Sequence, residues 1–514
     1  MAGFARTAAF GRGVGSGCVG DVYQTANYVP NIVFDIVAGG MLSALVVPVL
    51  APVLAAGDRA RADRLISALL CWAVVVLVPV ALLVALAAGP VINLLLGAQT
   101  DCPGAHALGT RMLVVFAPQV VFYGVGVILG AVLSAGERFA WPALAPLLSS
   151  IVVVVVYVAY WNQVGSGRDV LGLPSSAEYL LSVGTTAGVV VLTLCLAPAV
   201  RRTGARLRPT LRFPIGVART VRIAAVAGAA TLAAQEISSA VMIRLANSGT
   251  ARGTLVAVTL AQTVFLLPWA VLSLPVATAA FPRLAAHWTG GRTGEFRSAA
   301  GTATGAVLVA ATAGTALLVA VAEPAGIVLL GPGAAALAAF APATVGFAIG
   351  LLGWSLVAVL ARVSYAAGHV RAAATAQVAG QLTVIAVDVV LSLSLPADRR
   401  ALALGIGNSV GVSVAALGLV LVTARGGALS FDARLQRTLL AALGASAVAG
   451  ALGWLVGRRA EGSATVPAAG LGLVAALLAA AVFVAVLSLT DPTSRGQLRR
   501  RLRVRFPAVL GPTP

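Results

Sequence analysis

The 514 residues offer 35 basic and 16 acidic side chains, and every basic one is arginine. Some of these groups stand inside long apolar runs, where an ionised side chain costs about 2.5–3.5 kcal/mol or more at the centre of a bilayer and so marks a candidate functional position. The densest set opens the chain: Arg6, Arg12, Asp21, Asn27, Asn31 and Asp35, with Pro30 among them. Asn31 and Asp35 are four apart and share one helix face. Pro30 removes a backbone donor and permits a kink. Two guanidiniums and two carboxylates around one lumen would receive a charged headgroup. The plainer reading leaves Arg6, Arg12 and Asp21 at the water interface, with the arginine stems snorkelling; lumen and interface stay level for Arg12 and Asp21, while Asn31 and Asp35 favour the lumen.

Two further acids lie deep. Glu236 follows Gln235 in the middle of a seventh apolar run, and Asp388 stands in an eleventh with Gln377 and Gln381. Together, Glu236 and Asp388 would hold a monovalent cation through oxygen ligands or take up protons. The alternative is that each pairs with packing Ser or Thr, or stays protonated. An eighth run holds Gln262, Thr263, Pro268, Trp269 and Pro275. Two prolines in one membrane helix need a cavity or partner helix beside them, which makes Pro30, Pro268 and Pro275 candidate bending points; a static kink is the alternative. No nucleophile elbow, P-loop, HExxH or dinucleotide glycine pattern occurs. The glycines from Gly11 to Gly20 follow no strand and precede no lysine, so they read as a turn. The expectation is a transporter, not an enzyme.

The elements that must position these residues follow from composition. Hydrophobic residues make up 60% and charged residues 10%, against about a quarter charged in soluble chains, and mean hydropathy is +0.99. That excludes a soluble enzyme and a disordered chain. Fourteen apolar runs fall at about 2–14, 25–55, 65–97, 107–135, 140–161, 177–199, 217–246, 254–286, 296–321, 334–365, 370–395, 401–423, 435–457 and 466–489. The spacing predicts an all-α polytopic membrane protein of about 14 transmembrane helices, the first one truncated. Residues 123–142 and 349–371 echo one another at the ends of the fourth and tenth runs. The echo suggests two six-helix lobes, 1–200 and 213–424, followed by two C-terminal helices at 434–490 and a basic tail at 491–514. Repeated halves with a site between them are a common transporter plan.

The net charge of +19 invites a nucleic-acid reading, which the placement of arginine opposes. Joints after even-numbered runs, with the tail, hold 25 arginines, from Arg59 through Arg437 to Arg505. Joints after odd-numbered runs hold 8: Arg111, Arg168, Arg244, Arg252, Arg399, Arg400, Arg458 and Arg459. Basic loops mark the cytoplasmic side, so the even joints and both termini are expected there, and the tail can touch anionic lipid. Four cysteines and three histidines without ligand spacing give no structural metal site. Cys71 and Cys195 read as small core residues. Cys18 and Cys102 fall in external joints where a disulfide is possible, but nothing in their spacing singles them out and free thiols are the favoured expectation.

The segment DVYQTANYVPNIVFDIVAGGMLSALVVPVLAPVL, Asp21 to Leu54, resembles the second-helix signature of the MurJ (MviN) lipid II flippase family, within the multidrug/oligosaccharidyl-lipid/polysaccharide exporter superfamily. The preceding GFARTAAFGRGVGSG is similar to that family's first-helix end, so Arg6, Arg12 and Asp21 match its charged positions. GAVLSAGERFAWPALAPLL, Gly130 to Leu148, matches the fourth-to-fifth joint, and Arg362, Tyr365 and Arg371 match the tenth-helix end. The resemblance implies fourteen helices in two lobes around a cationic cavity, turning over an undecaprenyl-pyrophosphate-linked peptidoglycan precursor by alternating access, driven by membrane potential or ions. It places Asp388 near the family's eleventh-helix cation ligand. Three departures stand out. The family's first helix begins upstream with another arginine, so the start of this chain is expected to be late. Its second-helix arginines are Phe34 and Asp35 here. Its charged eighth-helix group is replaced by Thr263 and Leu266, beside Gln262. The all-arginine, alanine-rich composition looks like that of actinobacterial relatives.

The resulting expectation is a plasma-membrane flippase for lipid II, acting in cell-wall biosynthesis. Arg6, Arg12, Asp21, Asn31, Asp35, Gln262 and Arg362 would receive the headgroup and pyrophosphate. No cofactor is expected beyond a monovalent cation or proton at Glu236 and Asp388. Partners would be the lipid-linked sugar, membrane lipids and cell-wall synthesis proteins, without nucleic acid. The alternatives are a drug or polysaccharide exporter of the same superfamily and a non-transporting cell-wall scaffold.

Overall fold

Backbone groups in a bilayer have no water to bond, so an apolar run of membrane length is compelled into helix. The computed structural model follows that rule: among the described residues all regular structure is helical. Those residues are 2–36, 53, 58–97, 102–204, 208–211, 218–248, 252–429 and 432–490. The second half of the second run and the basic tail lie outside them. The helices are α1 Ala2–Gly13, α2 Cys18–Asp35, α3 Arg59–Leu86, α4 Ala88–Leu96, α5 Ala105–Phe116, α6 Gln119–Ala135, α7 Ala140–Val164, α8 Ser175–Leu194, α9 Leu196–Arg201, α10 Ala218–Asn247, α11 Thr254–Pro268, α12 Leu274–Thr289, α13 Thr293–Leu330, α14 Leu337–Ile349, α15 Leu351–Ala366, α16 Val370–Ser394, α17 Arg400–Arg425, α18 Ala433–Gly457 and α19 Thr465–Thr490.

Among the described residues ten helices, some of them joined end to end, are long and apolar enough to cross a membrane. The pair α14 and α15, bent by 41°, makes an eleventh span if counted as one. The first, second and seventh runs hold α1, α2 and α10, which fall outside that count. Local chemistry sets several ends. Asp58 caps α3 by accepting from the Arg61 N–H at 2.9 Å, and Asp432 caps α18 by accepting from Leu435 N–H at 2.9 Å. Gly97 ends α4 in the left-handed region at φ 78°, where glycine has no Cβ penalty.

The chain forms two compact units. The first comprises Met1–Leu260 with Gly333–Ala336 and Ser392–Ala401; the second comprises Ala261–Pro332, Leu337–Leu391 and Leu402–Pro514. Small residues bring the helices of each unit together, as lipid-embedded packing requires. In the first, Gly184 and Gly188 of α8 leave room for Val156 and Val153 of α7. In the second, Gly453 and Gly457 of α18 face Ala320 of α13.

The first unit gathers odd-numbered joints of the chain. Gly167 N–H donates to the Val14 carbonyl at 2.9 Å, and Arg252 pairs with Asp169 at 3.0 Å. The Ser16 hydroxyl accepts from Ala336 N–H at 3.1 Å, and Arg400 reaches the Ser248 hydroxyl at 3.3 Å. Joints one, five, seven, nine and eleven thus meet on one face of this unit. The third joint is tied in covalently, because Cys18 and Cys102 form a disulfide with Cα atoms 5.7 Å apart. This corrects the free-thiol expectation: the joints that carry the two cysteines are packed together by the fold, a proximity that a separation of 84 residues conceals. In the second unit even joints meet likewise, with Arg297 donating to the Gly427 carbonyl at 2.7 Å.

Candidate functional site

A polar strip runs through the first unit on α1, α2, α6 and α10. Helix α2 is built for it: buried Val19, Val22, Ala26 and Val29 hold one face in the core, and the polar residues between them keep a partly open face. On that face Asn31 accepts from the Tyr123 hydroxyl of α6 at 3.0 Å and donates to the Asn27 carbonyl at 2.9 Å. Asp35, exposed one turn further on, acts electrostatically on Tyr28, Tyr123 and Glu236. Glu236 of α10 is 6% exposed and accepts from the Tyr28 hydroxyl at 2.9 Å. Arg6 of α1 is exposed and lies within electrostatic reach of Tyr23, Tyr123 and Tyr157.

The structure therefore brings Arg6, Asn31, Asp35 and Glu236 into one neighbourhood, and adds tyrosines that the sequence reading missed. Tyr28 and Tyr123 are the hydroxyls that couple the amide and the carboxylate to other helices. Behind them the Tyr23 hydroxyl bonds to Tyr157 at 2.9 Å and to Thr185 at 2.8 Å, all three buried. Only their recurrence in otherwise aliphatic runs could have drawn attention to these tyrosines, since an aromatic in such a run reads as lipid-facing or core. With one open cation, two carboxylates and several hydroxyls, the strip can bind an oxyanion at the Arg6 end and a proton or cation at the Asp35–Glu236 end.

Asp21 sits apart from the strip. Its carboxylate accepts from the backbone N–H of Gly253 at 2.7 Å and of Val256 at 3.1 Å, so it caps α11 from another helix. Each bond is charge-assisted, and Gly253, at φ 78°, lies close against Ser16. Arg12 is half-buried in the last turn of α1, where the partial negative charge of the helix end favours a cation.

In the second unit Asp388 is 1% exposed, and its Oδ1 has no hydrogen-bond partner among the described residues. The oxygen lies against Gly407 of α17, in the space an added Cβ would take; only glycine admits this carboxylate. Arg362 of α15 is half-buried and donates to the Ala358 carbonyl of its own helix at 2.6 Å. Gln262 is half-buried on α11. Between Pro268 and Pro275 the helix widens into a π-helical turn, Trp269–Ser273, which joins α11 to α12. Proline cannot supply a ladder hydrogen bond, and a π-bulge is one way a membrane helix absorbs the loss. Gly314 of α13 fits beside it, with room for no side chain between itself and Pro268. Glu236 belongs to the first unit and Asp388 to the second.

The family model for the lipid II flippase MurJ matches residues 11–467. The chain belongs to the MurJ lipid II flippase family. Among curated proteins, a probable lipid II flippase MurJ from Synechocystis sp. is 29% identical over 41% of this chain and 39% of its own length. One from Rhizobium meliloti is 23% identical over 57% of this chain and 53% of its own length. The chain thus spans about two-fifths to one-half of these curated relatives. Among solved structures, a lipid II flippase MurJ in an inward closed conformation superposes with a TM-score of 0.74 at 16% identity, covering 95% of this chain and 96% of that one. An inward-facing multidrug MATE transporter of the MOP superfamily gives 0.65 at 13% identity, covering 83% and 94%. The fold is that of the MurJ and MATE membrane transporters.

Proposed function

We propose that this chain moves lipid II, the lipid-linked peptidoglycan precursor, across the plasma membrane by alternating access, and that it is a transporter without catalytic chemistry. The observation that carries the reading is a family match over most of the chain together with a hydroxyl-rich polar strip on α1, α2 and α6 that offers the Arg6 guanidinium at one end. A pyrophosphate would be met first by Arg6, with Arg12 and Arg362 as further guanidiniums and Asn31, Asp35 and Gln262 as polar contacts for the sugar and peptide. A planar fork binds phosphate oxygens in pairs, and the prenyl tail would remain in lipid. Asp21 would act on the substrate indirectly, by fixing the start of α11.

Coupling would use the two deep acids, Glu236 through its Tyr28 partner and Asp388 through the oxygen that lacks one. Bending at Pro30 and at the Pro268–Pro275 turn would serve opening and closing. The cytoplasmic placement of both termini rests on the arginine asymmetry. The disulfide lends separate support, since disulfides persist in oxidising compartments and this one lies on the odd-joint face. Cell-wall synthesis proteins are the expected protein partners. Growth rescue of a bacterium depleted of its own lipid II flippase tests the proposal. Rescue by the intact chain and its loss in Arg6→Ala are expected. A membrane-inserted chain that fails to rescue, or that exports cationic dyes, would favour the drug-exporter reading instead.

A further inference from the structure

Of the arginines at the odd-joint face of the first unit, most are accounted for. Arg252 pairs with Asp169 and Arg111 with Glu178; Arg168 folds back on the Val164 carbonyl; Arg399 is exposed. Arg244 and Arg400 differ. Neither has a carboxylate within ion-pair distance among the described residues.

Arg244, half-buried in the last turn of α10, lays its guanidinium over Gly97. A Cβ there would stand 2.5 Å from the guanidinium carbon and 2.5 and 2.7 Å from its terminal nitrogens. Gly97 closes α4, and its carbonyl is already taken by the His106 ring at 3.0 Å. Arg400 opens α17. Among the described residues its terminal nitrogens reach only the Ser248 hydroxyl at 3.3 Å and the Ser392 carbonyl at 3.4 Å, and its buried Nε has no partner. Ser248 lies four residues after Arg244, about one helical turn or 5–6 Å away. Asn247 between them is pinned to Thr25 at 2.9 Å and to the Leu95 carbonyl at 3.2 Å, which fixes the end of α10. The two guanidiniums therefore flank one rigid helix end, each beside helix carbonyls whose partial charge holds a cation without neutralising it. A buried cationic donor without an acceptor is costly, and an oxyanion would supply the acceptors.

We infer that Arg244 and Arg400, with Ser248, form a second phosphoryl-oxyanion site, and that its ligand is the pyrophosphate of the transported lipid as it arrives at the odd-joint face. Two planar forks at one helix end, Arg244 over Gly97 and Arg400 at Ser248, suit two linked phosphoryl groups, and the site gives the headgroup a cationic foothold at the end of the path remote from the termini. The inference deepens the proposed function and takes its ligand class from that reading.

Native mass spectrometry of the full-length, detergent-solubilised protein with undecaprenyl pyrophosphate tests it. The Arg244→Gln/Arg400→Gln chain is expected to carry one pyrophosphate lipid fewer than the unaltered chain, and each single Gln variant to weaken that binding event about tenfold, the equivalent of one charge-assisted hydrogen bond. Arg400→Lys should recover part of the loss. Phosphatidylglycerol and inorganic pyrophosphate serve as the other arms. Equal occupancy of the site by phosphatidylglycerol would make it a resident-lipid site, occupancy by inorganic pyrophosphate alone would make it a free-ion site, and either result overturns the inference, as does an unchanged lipid count in a double variant that keeps its Cys18–Cys102 bond. The readout is a difference in bound lipid, so it stands even if the protein fails to translocate lipid II; that failure would overturn the proposed function and leave this site in place.

Discussion

Removing the Tyr28 hydroxyl would leave the buried Glu236 carboxylate without the donor that α2 provides. A hydrogen bond to a charged group contributes about 1.5–3 kcal/mol, so Tyr28→Phe should lower the melting temperature in detergent, whereas Glu236→Gln, which keeps an acceptor, should cost less. If both variants melt with the unaltered protein, the Tyr28–Glu236 pair is not a stabilising contact. Gly407 gives a sharper case. An Ala there would collide with Asp388 Oδ1, so Gly407→Ala should fold poorly or displace the carboxylate, and Gly407→Ala/Asp388→Ala should recover the folded yield that the single change loses. Much of the strip was legible as polar residues in apolar runs: Arg6, Asn31, Asp35 and Glu236 stand out because lipid makes each expensive. Tyr28 and Tyr123 were not, because a tyrosine in such a run costs little and its hydroxyl partner comes from a distant helix. The role of Asp21 was hidden for a related reason. Local sequence reveals a carboxylate that caps its own helix, as at Asp58, but not one that caps a helix 232 residues onward.

At the scale of elements, hydropathy alone located nearly every helix, because a bilayer leaves an apolar run no alternative to helix. What it left open was the interior of those runs. The segment between Pro268 and Pro275 was expected as a bending point, or else a static kink, and not as a π-helical turn, since two prolines specify missing hydrogen bonds and not how the backbone compensates. If this turn is the bending point, restoring a donor with Pro268→Ala or Pro275→Ala should slow transport several-fold while leaving the melting temperature equal or higher. Unaltered turnover in both variants would mark the turn as a static feature. The start of α11 makes a second prediction at this scale. Asp21→Ala removes both bonds to the helix N-terminus, a loss of about 1–2 kcal/mol for an N-cap, and should increase amide hydrogen exchange in residues 253–256.

For the whole molecule, alternation of arginine-rich and arginine-poor joints carries the expected sidedness, and within the first unit five odd joints and a disulfide come together. The disulfide itself was illegible because cysteine spacing carries no distance information across 84 residues. Closing a loop of that length is worth up to about 4–5 kcal/mol in the chain-entropy account, less where membrane-embedded helices already restrict the unfolded chain. Cys18→Ser/Cys102→Ser should therefore lower the melting temperature, and a membrane-impermeant thiol reagent added after reduction should label the two cysteines from outside intact cells. The proposal for the molecule as a whole is that the polar strip headed by Arg6 carries a pyrophosphate-linked lipid across the membrane. Translocation of labelled lipid II in proteoliposomes tests it most directly: the account predicts time-dependent transfer by the unaltered chain and at least about tenfold slower transfer by Arg6→Ala, the loss of one charge-assisted contact, whereas transfer no faster than in protein-free vesicles, from a folded and disulfide-intact chain, would contradict it.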